Sequence, residues 1–235
     1  MKWKLLLLVA VTLIILHIPY IGIFLQAANT MLHESGHALA GILTKSTVYD
    51  IQLFASTEGI TRVAFHSWWS GVITGLAGYW FASVTVWLLA WMWSKNRDKG
   101  VLYFLILLSA LNLLFWVRNP YGVAWVTLFL LLLFILSRLF SAPLRRSSTF
   151  VILLIILIDS IRSALTVFLI AVLRPHAAGD ATLLAEWTTV PAPIWGALFF
   201  GQALFFGWMA ARRLWSARPD SRRHIPARLS GDMPR

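Results

Sequence analysis

The 235-residue sequence contains no cysteine, and Asp, Glu, Lys and Arg together make up only 12% of it, about half the share found in an ordinary soluble domain. The missing thiols exclude a disulfide-stapled scaffold and a cysteine-ligated zinc site, although they say nothing about the redox compartment. The shortage of charge excludes a disordered chain. Since 59% of the residues are hydrophobic, it also excludes a soluble globular domain. With spans of about 20 residues, the bilayer takes up nearly the whole length, leaving one integral domain over residues 1–211.

Apolar runs fall at 5–25, 70–93, 101–117, 123–140, 149–173 and 194–211, with a shorter one at 30–44 that carries polar residues. Turn and charge signals separate them: Lys95 to Gly100, Asn119-Pro120-Tyr121-Gly122, Pro143 to Arg146, and Pro175 to Asp180. The fold class is therefore an all-α polytopic membrane protein of six or seven transmembrane helices, with no internal repeat of 20–50 residues. Residues 30–44 would make about 22 Å of helix, short of a hydrocarbon core of about 30 Å, so whether they cross stays open. Residues 46–66 are β-branched and partly alternating, with a turn near Ser56 to Gly59. They read as a small β-hairpin that must lie outside lipid or be sheltered by protein, and its edge is able to receive another strand. Lys2, Lys4 and the following apolar run faintly resemble a cleavable signal, but the run is long for one and reads as an uncleaved anchor.

The net charge of +11 reads as membrane topology and attraction to anionic headgroups. Residues 212–235 hold seven arginines against Asp220 and Asp232 and read as a basic, disordered, cytoplasmic tail lying near anionic lipid. They lack the interleaved aromatics of a nucleic-acid-binding segment, so no nucleic-acid partner is expected. Counting back from the tail puts Arg145-Arg146 and the Lys95–Lys99 loop on the same side of the membrane. Seven full crossings would leave Lys2 and Lys4 on the opposite side, so the orientation of the N-terminus is open. Trp68, Trp93, Trp187 and other tryptophans near span ends form an aromatic belt.

Of nine acidic residues, seven fall in loops or the tail, where a charge costs little. Glu34 and Asp159 lie within apolar runs, and a carboxylate there costs a few kcal/mol, which makes each a functional candidate with a partner to be found. Glu34 belongs to His33-Glu34-Ser35-Gly36-His37, an HExxH sequence. Helical positions four apart share a face, so His33 and His37 can offer two imidazole nitrogens to one zinc ion while Glu34 reaches a water on it. Zinc brings the pKa of such a water toward neutrality, and Glu34 can carry its proton to a leaving amine. Two buried, hydrogen-bonded histidines beside a chance glutamate are the alternative. Gly36, Ala38, Ala40 and Gly41 make a small-residue surface that admits a close neighbouring helix.

A catalytic zinc takes three protein ligands and keeps a position for water. Asp159, the other acid deep in an apolar run, is the first candidate for the third. Its alternative is an ion pair with Arg162, three residues on. Asp180 becomes a candidate if its loop folds inward. His17, beside Pro19, reads as a satisfied buried histidine at a kink. His66, His176 and His224 read as solvated.

The HExxH in an apolar helix, the β-like segment after it and Gly75-Leu76-Ala77-Gly78-Tyr79-Trp80 in the next apolar run resemble the site-2 proteases, intramembrane zinc metallopeptidases, in particular a small divergent bacterial branch. The resemblance implies zinc as cofactor, His33 and His37 as ligands, Glu34 as the catalytic residue, and a hairpin that helps hold an extended substrate. It also implies a bacterial cytoplasmic membrane. Members of the family take their third ligand from a Leu-Asp-Gly that ends an Asn-Pro-rich stretch. The counterpart by order here, Arg118-Asn119-Pro120-Tyr121-Gly122, has no aspartate, and neutral Asn119 would be a weak ligand.

The expected function is hydrolysis of peptide bonds in membrane-embedded or membrane-proximal protein substrates. Two other classes remain: an inactive protease-like protein that binds partners through its helices, and a proton-coupled transporter using Glu34, His33, His37 and Asp159.

Overall fold

A peptide group left unpaired in hydrocarbon costs on the order of several kcal/mol, so a long apolar run closes its hydrogen bonds within itself. The computed structural model describes residues 2–216, and in it every such run is helical. The order is α1 (Lys2–His17), α2 (Ile21–Leu43), β1 (Thr47–Leu53), β2 (Gly59–Ala64), α3 (Trp68–Ser94), α4 (Asp98–Phe115), α5 (Pro120–Arg138), α6 (Ala142–Leu173), α7 (Asp180–Thr188) and α8 (Ala192–Ser216). Helices α3, α4, α5, α6 and α8 are each long and apolar enough to cross a membrane, and α1 with α2 makes a pair bent by 99° that brings the number to six if the pair is one broken span. The chain is an all-α polytopic membrane protein with five or six candidate spans, against the six or seven expected. Residues 30–44 are not a separate short segment: all but the last belong to α2, a helix of 23 residues and about 34 Å.

The break between α1 and α2 follows from Pro19, which has no N–H for the helical ladder, and from Tyr20 at φ 65°. His17 stands at this break as expected, but on an exposed surface rather than buried, its Nδ1 bonded to the Leu13 carbonyl at 2.7 Å. The basic tail expected from residue 212 begins as helix, since α8 runs to Ser216. Residues 217–235, on which its disorder and lipid contact were expected, lie outside the described residues.

Helix α3 sits at the centre and packs against α2, α6, α7 and α8. Glycines set how closely it is approached. A Cβ on Gly36 would lie 2.6 Å from the carbonyl oxygen of Ala77, and one on Gly71 would lie 2.6 Å from the Trp187 ring. Trp187 therefore belongs to the α3–α7 interface rather than to an aromatic belt. At the end of the bundle where α3 leads into α4 and α5 into α6, Arg145 bonds Asp98 at 2.6 Å, and the Arg146 guanidinium lies 4.0 Å from the Trp93 ring centroid. The two basic loops expected on one side of the membrane thus meet. Asp98, expected as an inexpensive loop charge, is buried and needs this partner.

The hairpin expected over 46–66 is present, with β1 and β2 antiparallel in the register Asp50↔Arg62, Ile51↔Thr61, Gln52↔Ile60, Leu53↔Gly59. Asp50 is also buried, and hydrogen bonds from Arg62 across the strands hold its carboxyl below the usual carboxylate range. The edge of β1 away from β2 is closed by the segment entering α5. Ile51 N–H donates to the Trp116 carbonyl (2.9 Å) and its carbonyl accepts from Arg118 N–H (3.3 Å). The Asn119 carboxamide completes the edge, accepting from Leu53 N–H (3.1 Å) and donating to the Leu53 carbonyl (2.6 Å). Asn119 is thereby used as a strand substitute and does not reach the HExxH histidines.

Because Ile51 and Leu53 turn their polar groups away from β2, their partners Thr61 and Gly59, and by alternation Val63, turn theirs away from β1. The backbone of β2 is left open along that edge.

Candidate metal and catalytic site

The HExxH segment lies in the middle of α2, where one helical turn carries His33 to His37 on the face that meets α3. His37 Nδ1 bonds the Thr74 carbonyl of α3 at 2.6 Å. That bond puts the ring proton on Nδ1 and leaves the Nε2 lone pair free to act as a ligand. The His33 ring meets Tyr79 edge to face at 4.5 Å, and Tyr79 stacks on Phe199 of α8. Each imidazole thus has an orienting contact beyond the other ring.

The third member is Asp180, the first residue of α7. Its Oδ2 lies 3.1 Å from His33 Nε2 and 3.2 Å from His37 Nε2, and the two nitrogens are 2.9 Å apart. Zinc at 2.0–2.1 Å from tetrahedral donors would place them about 3.3 Å from one another, so the observed set needs to open by only a few tenths of an ångström. Among the described residues, no other group of three His, Asp or Glu donors converges in this way. Two imidazole nitrogens and one carboxylate match the donor chemistry of a catalytic zinc, and the residues present fit the ion.

Asp159 is elsewhere. It is buried, but its Oδ1 accepts from Arg162 Nε (3.1 Å) and Nη2 (2.6 Å), and its Oδ2 accepts from Asn29 Nδ2 (3.2 Å). Both oxygens are occupied by a pair formed one turn along α6 and by a bond that ties α6 to α2. The expectation that Asp159 completes the ligand set is therefore corrected: the ion-pair alternative is what the fold presents, because a buried carboxylate takes the cation nearest to it on its own helix face.

Asp180 reaches the histidines because α7 folds back onto α3. Gly179, at φ 54°, turns the chain into α7 through a conformation that favours glycine. Leu184 sits over Gly75, where a Cβ would lie 3.0 Å from it. The sequence offered a weak signal for this, an acid opening a short segment whose Leu183, Leu184 and Trp187 need burial.

Gly78 of α3 lies directly behind the imidazoles. A Cβ there would fall 2.5 Å from His37 Nε2 and 2.6 Å from His33 Cε1. Gly78→Ala is accordingly expected to push the rings apart and weaken zinc binding at least about ten-fold, measured by chelator competition, with the helical content of the protein unchanged.

Glu34 is buried beside the histidines and its carboxylate is bracketed by β2. Thr61 Oγ1 donates to Glu34 Oε2 at 2.6 Å, while a Cβ on Gly59 would collide with Oε1 at 2.5 Å. Oε1 has no hydrogen-bond partner among the described residues. Thr61 was not anticipated from the sequence. Its place on the strand face that meets α2 depends on the register of the hairpin, which no local pattern stated.

These groups line one cavity of about 600 Å³. His33, Glu34, His37 and Asp180 are at its wall, and so are Gly59, Thr61 and Val63, the residues whose backbone β1 leaves unpaired. Arg162 contributes a charge at the α6 side.

Comparison with known proteins gives one finding. A family model described as Peptidase M50B-like matches residues 6–210. No curated protein and no solved structure matches the chain significantly. With its HExxH helix, its membrane-spanning bundle and a match over nearly all of the described residues, the chain belongs to the Peptidase M50B-like family, in the site-2 protease group of membrane peptidases.

Proposed function

We propose that this chain is an intramembrane zinc endopeptidase, with His33, His37 and Asp180 as the metal ligands and Glu34 as the catalytic acid and base. The observation that carries this reading is the convergence of the three donor atoms within 2.9–3.2 Å of one another beside the Glu34 carboxylate. Bound zinc would supply Lewis acidity, polarising the scissile carbonyl and making water acidic enough to lose a proton near neutrality.

The protein supplies the rest. Glu34 Oε1, the oxygen not engaged by Thr61, takes a proton from the attacking water and delivers it to the leaving nitrogen. The low exposure of Glu34 keeps bulk water from competing for that proton. A membrane-embedded substrate hides its amides in its own helical hydrogen bonds, so it must unwind before it can be cut. The open edge of β2 answers that need: Gly59, Thr61 and Val63 offer N–H and C=O groups to an extended segment, which pairs as an added strand in front of Glu34. The preferred substrates are thus membrane-embedded or membrane-proximal proteins whose spans unwind easily.

The test is made on purified full-length protein in detergent. It is expected to hold one zinc per chain and to cleave a fluorogenic transmembrane peptide with a central helix-breaking pair. Removal of the metal by a chelator should abolish cleavage, and added zinc should restore it. Zinc-replete protein that cleaves none of a panel of such peptides would favour the partner-binding reading instead.

A further inference from the structure

We infer that Thr61 is a positioning residue for Glu34, its hydroxyl pinning one carboxylate oxygen so that the other is presented to the reacting water. The inference rests on the peptidase reading above. A glutamate side chain turns about three bonds, and in an enclosed site it needs something to choose among the orientations. Thr61 does so from across the cavity. Its one O–H donates to Glu34 Oε2 at 2.6 Å, and with the same oxygen only 3.2 Å from the main-chain oxygen of Glu34 the hydroxyl sits against the residue it holds.

Gly59, the alternate residue on the same face of β2, leaves the space that Oε1 occupies. The two contacts act together: one holds the carboxylate and the other makes room for it. Thr61 also lines the cavity, and its N–H and C=O are turned away from β1. The strand position that receives a peptide therefore also sets the orientation of the base, and an extended segment pairing there holds Thr61, and through it Glu34, in place.

A purely architectural role would be different. The hairpin has a second hydroxyl tie to α2, Thr30 Oγ1 to the Thr57 carbonyl at 2.6 Å, and that tie does not touch Glu34. Loss of either tie would loosen the hairpin, but only loss of Thr61 frees the carboxylate.

The chain contains three glutamates, Glu34, Glu58 and Glu186, so carboxylate bands can be assigned by infrared difference spectroscopy. The zinc-loaded full chain is labelled with carboxyl-13C glutamate, and the Glu34 band is the one absent from Glu34→Gln. Thr61→Val is expected to shift that band. Thr61→Ser should return it, and Thr30→Val should leave it in place. In cleavage of the fluorogenic transmembrane peptide, Thr61→Val should lower kcat about ten-fold, the size of one hydrogen bond to a charged group, with KM within two-fold and zinc content unchanged. Thr61→Ser should recover most of the rate.

A Glu34 band in the same position in wild type and Thr61→Val overturns the proposal, as does equal loss of kcat in Thr30→Val. If Thr61→Val and Thr61→Ala both lose zinc and unfold, the role is architectural and the proposal falls. The spectroscopic readout does not depend on turnover. An unchanged band with normal cleavage therefore rejects Thr61 alone, whereas a shifted band without any cleavage in wild type rejects the peptidase reading alone.

Discussion

Asp180→Asn is expected to lose zinc while Asp159→Asn keeps it. An asparagine at 180 preserves the shape of the side chain but replaces a charged oxygen donor by a neutral amide. Two imidazoles 2.9 Å apart then have no anionic donor converging with them. Loss of a supporting hydrogen bond outside a metal's ligands typically costs 10–100-fold in affinity, and loss of a ligand should cost on the order of a hundred-fold or more. Purified Asp180→Asn should accordingly carry well under one zinc per chain.

Asp159→Asn should behave in the opposite way. Its carboxylate serves Arg162 and Asn29, so its loss weakens the tie between α2 and α6. One-sided loss of a buried pair costs about 3–5 kcal/mol, and the lower part of that range applies because the Arg162 side chain is 57% exposed. The variant should unfold at lower temperature with its zinc stoichiometry intact. Metal content and thermal unfolding of the two proteins, measured side by side, decide the matter. Zinc retained in Asp180→Asn and lost in Asp159→Asn would reverse the ligand assignment.

Glu34→Gln is expected to separate metal binding from turnover. Glutamine fills the same space and can still accept from Thr61, and it is not one of the three converging donors, so one zinc per chain should remain. It cannot take a proton at Oε1, and general acid–base catalysis is worth about 10²–10⁴-fold, so cleavage should fall by about that factor. Activity within ten-fold of wild type, in a preparation with full zinc content, would remove Glu34 from the proposed role.

The parts of the site that were legible in the sequence are those carried by one element. His33 and His37 are four residues apart, and helix geometry alone puts them on one face with Glu34 beside them. The hairpin was legible because β-branched, partly alternating residues flank one turn signal, Ser56 to Gly59. The paired basic loops were legible from counting charges between spans. Gly36 was recognised as a close-packing position, and the fold sets it against the backbone of Ala77.

What was hidden depends on which elements meet. Asp159 and Asp180 are both carboxylates, and burial argued for Asp159 because it lies in an apolar run. That argument holds, but the partner it demands is Arg162, three residues away, and not a metal held on another helix. Asp180 stood only as a later candidate, conditional on its loop folding inward, since a loop acid is ordinarily solvated. Asp50 and Asp98, also assigned to loops, turn out to be buried and paired for the same reason: loops at the ends of a membrane bundle are covered by neighbouring elements.

The chain's own composition and spacing determined that it is a helical membrane protein and that one helix carries two imidazoles and a carboxylate in an HExxH arrangement. Both are consequences of periodicity within a segment, which hydrophobicity and helix geometry dictate without reference to the rest of the molecule. Tertiary structure alone decided that α7 folds back through Gly179 to bring Asp180 to the histidines, and that segment 116–119 closes one edge of the hairpin and leaves the other open beside Glu34. Those outcomes rest on contacts between residues far apart along the chain, where the fit of small residues and the pairing of buried polar groups choose among neighbours that the sequence presents as equals.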